Sequence, residues 1–437
     1  MPKQKSSYRL FSFLTVTSLL LLVALTACGE PESKPVLVNS LPPLAPTYTP
    51  VPPPALLPIS KAEYGQTTVT ARLVGSGSTF ADPIYRNWIG LFNKTSPNLK
   101  IDYQAIGSGG GRSSFLGTPV ANVGTLVPTV PNDFAGSDAP FRGQELVNAS
   151  NKGEILHLPT AVGAVVAAYN LKEVPSLKIS GPVLADIFLG KVTRWNDKNI
   201  QNDNPEVKMP DKEIRVVIRS KTGAGSGTSE IFSRYLAVVS DEFRDKVGSG
   251  GSPAWTIKTV NEGGRALDPV GNDGVAAAVR DTDGAVGYVD QGVAIDLNLS
   301  YASIRNKTGR FIFPNQANVS AAAQGSFIPD DFRTFIVNGE GESTYPITGF
   351  TWIITWRNLS LMPSPSKDKA SGLVAFLWWA IHDGQQQANL PKGYAPLPES
   401  LIPRLERLFV TDQAKPEEKV FSFNNQPILP QLARSTA

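Results

Sequence analysis

Cysteine is nearly absent from this 437-residue sequence, where Cys28 stands alone, and histidine is almost as scarce, with only His157 and His382. One thiol cannot form an intrachain disulfide, and a Cys/His zinc cluster lacks its ligands. No excess charge of one sign runs through the chain. The formal charge is +3, from 41 Lys plus Arg against 38 Asp plus Glu. Lys3, Lys5 and Arg9 account for all of it, because residues 1–27 contain no acid. The remainder is neutral, so net charge gives no argument for a nucleic-acid partner. Charged residues make up 18%, below the ~25% usual for soluble domains. Beyond residue 27 no apolar run reaches the ~18 residues of a membrane span. What the sequence does hold is 41% hydrophobic residues, enough for a real core. At ~150 residues per domain, the length suggests two or three domains.

Residues 1–27 have the pattern of a targeting segment. Lys3, Lys5 and Arg9 form a positive start, Leu10 to Leu25 an apolar run, and Leu25-Thr26-Ala27-Cys28-Gly29 its end. The run is short for a ~20-residue transmembrane helix. Small residues before a lone cysteine resemble the lipobox of bacterial lipoproteins, which implies cleavage before Cys28 and lipid attachment to it. Residues 28–65 read as a tether. Ten prolines fall within 31–58, a density that excludes helix and sheet ladder and favours an extended chain.

The body alternates strand and helix patterns. Strands are expected at Thr68–Val74, Lys100–Ile106, Leu156–Tyr169, Ile214–Ile218, Ala285–Val289 and Phe350–Trp356. Helices are expected after Pro83, around Val183–Phe188, from Ile231 to Val239, at Gly274–Val279 and at Leu373–Ile381. This β-loop-α alternation predicts an α/β architecture with largely parallel sheets.

Three strand-to-helix junctions are built from Gly, Ser and Thr: Gly75-Ser-Gly-Ser-Thr79-Phe80, Gly107-Ser108-Gly-Gly-Gly111 and Gly225-Ser-Gly-Thr228. Glycine lets the backbone come close to a ligand. Hydroxyls and the unpaired N–H groups of a helix start both suit an anion. One such junction is ordinary capping; three point to a small anion. No stretch matches G-x-x-x-x-G-K-[ST], which argues against a P-loop NTPase. A Ser-His-Asp hydrolase would need His157 or His382. The first opens a buried strand and the second follows an apolar helix, so both read as structural.

These junctions, together with Ala135-Gly136-Ser137-Asp138-Ala139-Pro140, Leu184 to Asp197, Gly271-Asn-Asp-Gly274, Gly284-Ala-Val-Gly-Tyr288 and Gly393-Tyr-Ala-Pro-Leu-Pro398, resemble the phosphate-binding proteins of bacterial high-affinity phosphate ABC importers. The resemblance runs in order from about residue 70 to about 410. It implies a two-lobed periplasmic-binding-protein (class II) fold with a hinge. Lobe 1 is expected at 66–157 plus 345–437 and lobe 2 at 158–344. It also implies a monomeric binder of inorganic phosphate, not an enzyme, without metal or cofactor, delivering its ligand to ABC permease subunits at the extracytoplasmic face of the cell membrane. A binder of another tetrahedral oxyanion, a phosphate sensor or adhesin that kept the fold, and a secreted phosphatase are the alternatives.

Carried over by motif, the phosphate ligands are Thr79, Phe80 through its backbone N–H, Ser108, Asp138, Arg219, Ser226, Gly227 and Thr228. A buried carboxylate at Asp138 would accept the proton that phosphate still carries near neutral pH, and would reject sulfate, which has none. Two departures stand out. An insert at Gly117–Phe134 is longer than the family usually has. The family usually reads Arg-x-Asp-Gly-Ser-Gly-Thr, whereas here Arg219 is followed by Ser-Lys-Thr-Gly-Ala-Gly before Ser226, without the Asp. Arg219 is expected to stay in the cleft and Lys221 to be a solvated surface charge.

Overall fold

Alternating side chains make the first strands. In β2 (Leu99–Ala105) Leu99, Ile101 and Tyr103 are buried while Lys100, Asp102 and Gln104 face water, the period-two pattern of a half-covered sheet. Residues 67–118, 131–220, 225–409 and 420–428 are described in this computed structural model. β1 (Ala71–Gly77) lies between β2 and β3 (Phe134–Ser137) and is parallel to both. Helix α1 (Asp82–Phe92) starts at Pro83, where a missing N–H costs nothing, and buries Ile84, Tyr85, Trp88, Ile89 and Phe92. Helix α2 (Ser108–Phe115) lies against β1 because its contact residue is glycine: a Cβ at Gly111 would sit 2.5 Å from the Gly77 Cα.

β4 (Ile155–Tyr169) is 15 residues long and buried along almost its whole length. It is the seam of the molecule. Ile155–Ala164 pairs antiparallel with one strand, Thr348–Trp356, whereas Val165–Tyr169 pairs antiparallel with another, Ala285–Asp290. Calling Arg215–Val217 β5, Ala285–Asp290 β6 and Thr348–Trp356 β7, the strand order is β2-β1-β3-β7-β4-β6-β5. The register slips between Thr351 and Trp352, opposite the Pro159–Ala161 stretch of β4. A proline without an N–H is tolerated in a central strand at such an irregularity.

The expectation of largely parallel sheets is corrected. β1, β2 and β3 are parallel, as are β5 and β6, but every pairing of β4 and β7 is antiparallel. The reason is that these two long strands run against each other, β7 also against β3 and β4 also against β6, and carry the chain from one half of the sheet to the other, giving a two-lobed α/β fold. Residues 328–333, just before β7, reach across onto the β1–β3 half. Arg404 donates to the carbonyls of Ile328 (2.9 Å) and Pro329 (2.8 Å), and Trp352 Nε1 donates to the Phe332 carbonyl at 3.0 Å.

The residues flanking the β5–β6 half form the remaining helices used below. They are α3 (Gly227–Val239) and α4 (Gly271–Asp281), whereas α5 (Lys367–Ile381), a buried helix carrying Trp378 and Trp379, packs against β1 and α1 in the other half. No described helix is long and apolar enough to cross a membrane. Cys28, residues 119–130 of the insert and Lys221 lie outside the described residues.

Candidate functional site

The first junction turns on Gly77, whose φ of 143° is open only to glycine and where a Cβ would lie 2.0 Å from the Gly136 carbonyl oxygen. This close approach delivers Ser78 to the end of β3. The Ser78 hydroxyl donates to Asp138 Oδ2 at 2.5 Å and accepts from the Ala81 N–H at 2.9 Å. Phe80 is buried. Its ring packs on Gly163 and edge-on to Tyr394, and its carbonyl accepts from the Tyr394 hydroxyl at 2.5 Å.

At the second junction Gly107 takes φ 85° and Ser108 opens α2. Its hydroxyl donates to Asp138 Oδ2 and accepts from the Asp138 N–H, both at 3.1 Å. Asp138 is 1% exposed. One carboxylate oxygen therefore holds two hydroxyls. The other, Oδ1, has no hydrogen-bond partner of ordinary geometry, although the Thr351 hydroxyl is close by. Burial raises the Asp138 pKa to about 6 against the pull of Ser78, Thr351, Ser108 and Arg112.

The third junction belongs to the other half of the sheet. Arg219 follows β5 and is buried, with its N–H donating to the Tyr288 hydroxyl at 3.1 Å. Nη1 donates to Asn272 Oδ1 at 2.6 Å and Nη2 to the Thr79 hydroxyl at 3.3 Å. Burial lowers the Arg219 pKa, offset by Tyr288, Asp290, Asp138 and Asp273. Ser226 caps α3, accepting from the Ser229 N–H at 3.2 Å. Gly227 meets the first half of the site directly: a Cβ there would lie 2.5 Å from both Asp138 Oδ2 and Ser108 Oγ. The Thr228 hydroxyl accepts from Asn272 Nδ2 at 3.3 Å.

All eight residues expected from sequence thus fall in one cluster, linked by Arg219 to Thr79, Ser108 to Asp138, Gly227 to both of these, and Thr228 through Asn272 to Arg219. The two halves of the sheet touch elsewhere too. The Gly109 N–H donates to the Gly225 carbonyl at 3.2 Å. Arg142 pairs with Glu230, whose side chain is 3% exposed, and Arg142 and Arg234 both lie over the Phe335 ring.

Sequence reasoning assigned no role to Ser78, Asn272, Tyr288 or Asp290. The first three lie inside motifs already noticed. Asp290, at the end of β6, gave no local signal. It is buried, and burial raises its pKa to about 7 against hydrogen bonds from Val293 and Asn272. The histidines are elsewhere. His157 Nε2 accepts from the Phe141 N–H at 3.0 Å, and burial lowers its pKa to about 3. His382 lies between the Trp378 carbonyl and Glu406, each at 2.8 Å.

The cluster offers a guanidinium, several hydroxyls and the starts of α1, α2 and α3, with a single buried acid among them. Donors converging between two sheet halves define a solute-binding protein of the periplasmic type, with an anion as the fitting solute. The model of the PBP superfamily domain matches residues 62–382. Phosphate-binding protein PstS of Xylella fastidiosa is 35% identical over 351 residues, covering 79% of this chain and 86% of that protein. PstS of Pasteurella multocida is 34% identical, covering 82% and 95%, and PstS of Methanocaldococcus jannaschii is 34% identical, covering 75% and 82%. Among solved structures, a high-affinity periplasmic phosphate-binding protein bound with phosphate superimposes with a TM-score of 0.60 at 21% identity, covering 81% of this chain and 97% of that one. A phosphate-binding protein from Stenotrophomonas maltophilia gives 0.55 at 20% identity, covering 83% and 100%; both support the fold. The chain belongs to the PBP superfamily and, within it, to the family of PstS phosphate-binding proteins.

Proposed function

We propose that this protein captures inorganic phosphate between its two lobes and hands it to an ABC permease for import, without chemistry of its own. The observation that carries the reading is Asp138: a buried carboxylate among anion-binding donors, with one oxygen holding two hydroxyls and the other having acceptor capacity left. Such a site favours an oxyanion that still bears a proton. Thr79, Arg219 and Thr228 supply side-chain donors, Ser108 a hydroxyl whose one hydrogen turns from Asp138 Oδ2 to the ligand, and the backbone at Phe80 and Gly227 helix-start N–H groups. The Ser226 N–H is given to the Gly251 carbonyl at 2.8 Å, so Ser226 contributes its hydroxyl. Among the described residues no group of His, Cys, Asp and Glu could hold a metal ion.

The lobes are taken to hinge where β4 changes partner, at 164/165, and where β7 begins, near 347/348, rather than at 157/158. The Val165 N–H donating to the Ile347 carbonyl at 2.9 Å ties the two crossings together. Lipid on Cys28 would anchor the monomer at the extracytoplasmic face, with residues 28–65 as its tether. Titration calorimetry tests the function: one phosphate per chain and far weaker sulfate binding are expected, and equal affinity for the two anions refutes it. Fractionation tests the anchor: Cys28→Ala should leave the protein uncleaved or shed it from the membrane, and a parent that stays on the membrane without lipid mass refutes that part.

A further inference from the structure

Buried Arg219 has no acid within its own loop: residues 220–228 read Ser-Lys-Thr-Gly-Ala-Gly-Ser-Gly-Thr. Its guanidinium meets a neutral amide instead, Asn272 Oδ1 at 2.6 Å. The same amide donates from Nδ2 to Asp290 Oδ2 at 2.7 Å and to Thr228 Oγ1 at 3.3 Å. Asp290 Oδ1 accepts from the Val293 N–H at 2.9 Å, capping the helix that follows β6. Asn272, Asp290 and Thr228 are at most 2% exposed, and Arg219 is 9% exposed.

We propose that Asp290 and Asn272 are positioning residues that fix the hydrogen-bond polarity of the β5–β6 side of the anion site. The reason lies in what each group is able to do. A guanidinium only donates and a carboxylate only accepts. An amide between them has one workable orientation, oxygen toward Arg219 and nitrogen toward Asp290. That orientation also aims the amide nitrogen at the Thr228 oxygen. Thr228 must then accept there, and its own hydrogen is left to donate to the anion. Asp290, whose two oxygens are held by Val293 and Asn272, thereby keeps Arg219 and Thr228 both turned as donors toward the cleft. It also returns to the buried arginine the negative charge that its loop lacks.

The inference rests on phosphate being the ligand, and the test separates the two. Asp290→Asn is the informative variant. Asparagine caps a helix as well as aspartate does, so its oxygen stays with Val293 and its NH2 turns to Asn272. Two donors then face each other, and the Asn272 amide is driven to flip, pointing NH2 at Arg219. Phosphate titration should show affinity falling roughly tenfold, although a negative charge has been removed from the neighbourhood of an anion. The exchange N272D/D290N again places an acceptor before Arg219 and a donor before that acceptor, so it should bind phosphate more tightly than Asp290→Asn alone. Melting temperature without phosphate checks that each variant folds. If Asp290→Asn does not fold, Asn272→Ala carries the same titration, since it leaves the Asp290–Val293 cap in place. Asp290→Asn binding phosphate as tightly as the parent or more tightly, or an exchange variant that merely adds the two single losses, overturns the relay. A parent that does not bind phosphate overturns the function instead.

Discussion

Replacing Asp138 by asparagine should abolish the choice between phosphate and sulfate and, at the same time, make the ligand-free protein more stable. The carboxylate is 1% exposed, and its Oδ1 has acceptor capacity left. A hydrogen bond from phosphate to a buried carboxylate is charge-assisted, so losing it costs about 1.5–3 kcal/mol, roughly ten- to a hundredfold in affinity. Sulfate, which faced repulsion from the carboxylate, gains an amide donor and should bind more tightly than to the parent. Stability follows from the pKa of about 6, raised from 3.8 chiefly by burial. Between those two values the folded state holds the proton more tightly than the unfolded chain does. The contribution of Asp138 to stability is therefore complete below pH ~4 and is lost as pH rises through ~6. About two pKa units at ~1.4 kcal/mol each make that loss about 3 kcal/mol. Asp138→Asn should recover up to that amount at pH 8 and nothing at pH 4. Calorimetric titration with both anions, and urea unfolding at the two pH values, provide the assay. A variant that still prefers phosphate over sulfate, or one equally stabilised at both pH values, refutes the reasoning.

Gly227→Ala should weaken phosphate binding at least tenfold, because its Cβ would lie 2.5 Å from Asp138 Oδ2 and Ser108 Oγ, both pinned by hydrogen bonds; titration at parent-like affinity would show that the two lobes need not meet there. Glu230→Gln leaves Arg142 and Arg234 over Phe335 without their shared carboxylate. Because Arg142 follows β3 and Glu230 lies on α3, beside the other half of the sheet, the loss should fall on the closed form, lowering phosphate affinity by roughly fivefold or more and enlarging the phosphate-bound particle in X-ray scattering; unchanged affinity refutes the clamp. His157, with its pKa lowered to about 3 by burial, stays neutral in the fold while the unfolded chain takes a proton below pH ~6.5, so stability is lost on acidification at about 1.4 kcal/mol per unit. His157→Gln should lose less stability than the parent between pH 7 and pH 5, and parallel urea curves would contradict this.

Much of the site could be read from sequence because its parts are local. A Gly-Ser-Thr stretch between a strand pattern and a helix pattern announces a helix start, and a helix start binds anions wherever it is placed. The long apolar run around Val165 likewise predicted a buried strand, and β4 is one. Ser78 was within reach of the same reasoning, since it lies in the first junction. Its tie to Asp138, sixty positions on, was not.

What only the tertiary structure decided are the partnerships between distant segments. Periodicity reports which face of a strand is buried but not which way its neighbour runs, so the antiparallel pairings of β4 and β7 were invisible. Asn272 and Asp290 carry no pattern that sets them apart from a helix start and a helix cap. They matter because the packing of α4 against β6 places them behind Arg219, 53 residues away from the first of them. The lone donor-only and acceptor-only groups at the ends of that chain fix its polarity, and that is decided by which groups face one another once the chain is folded.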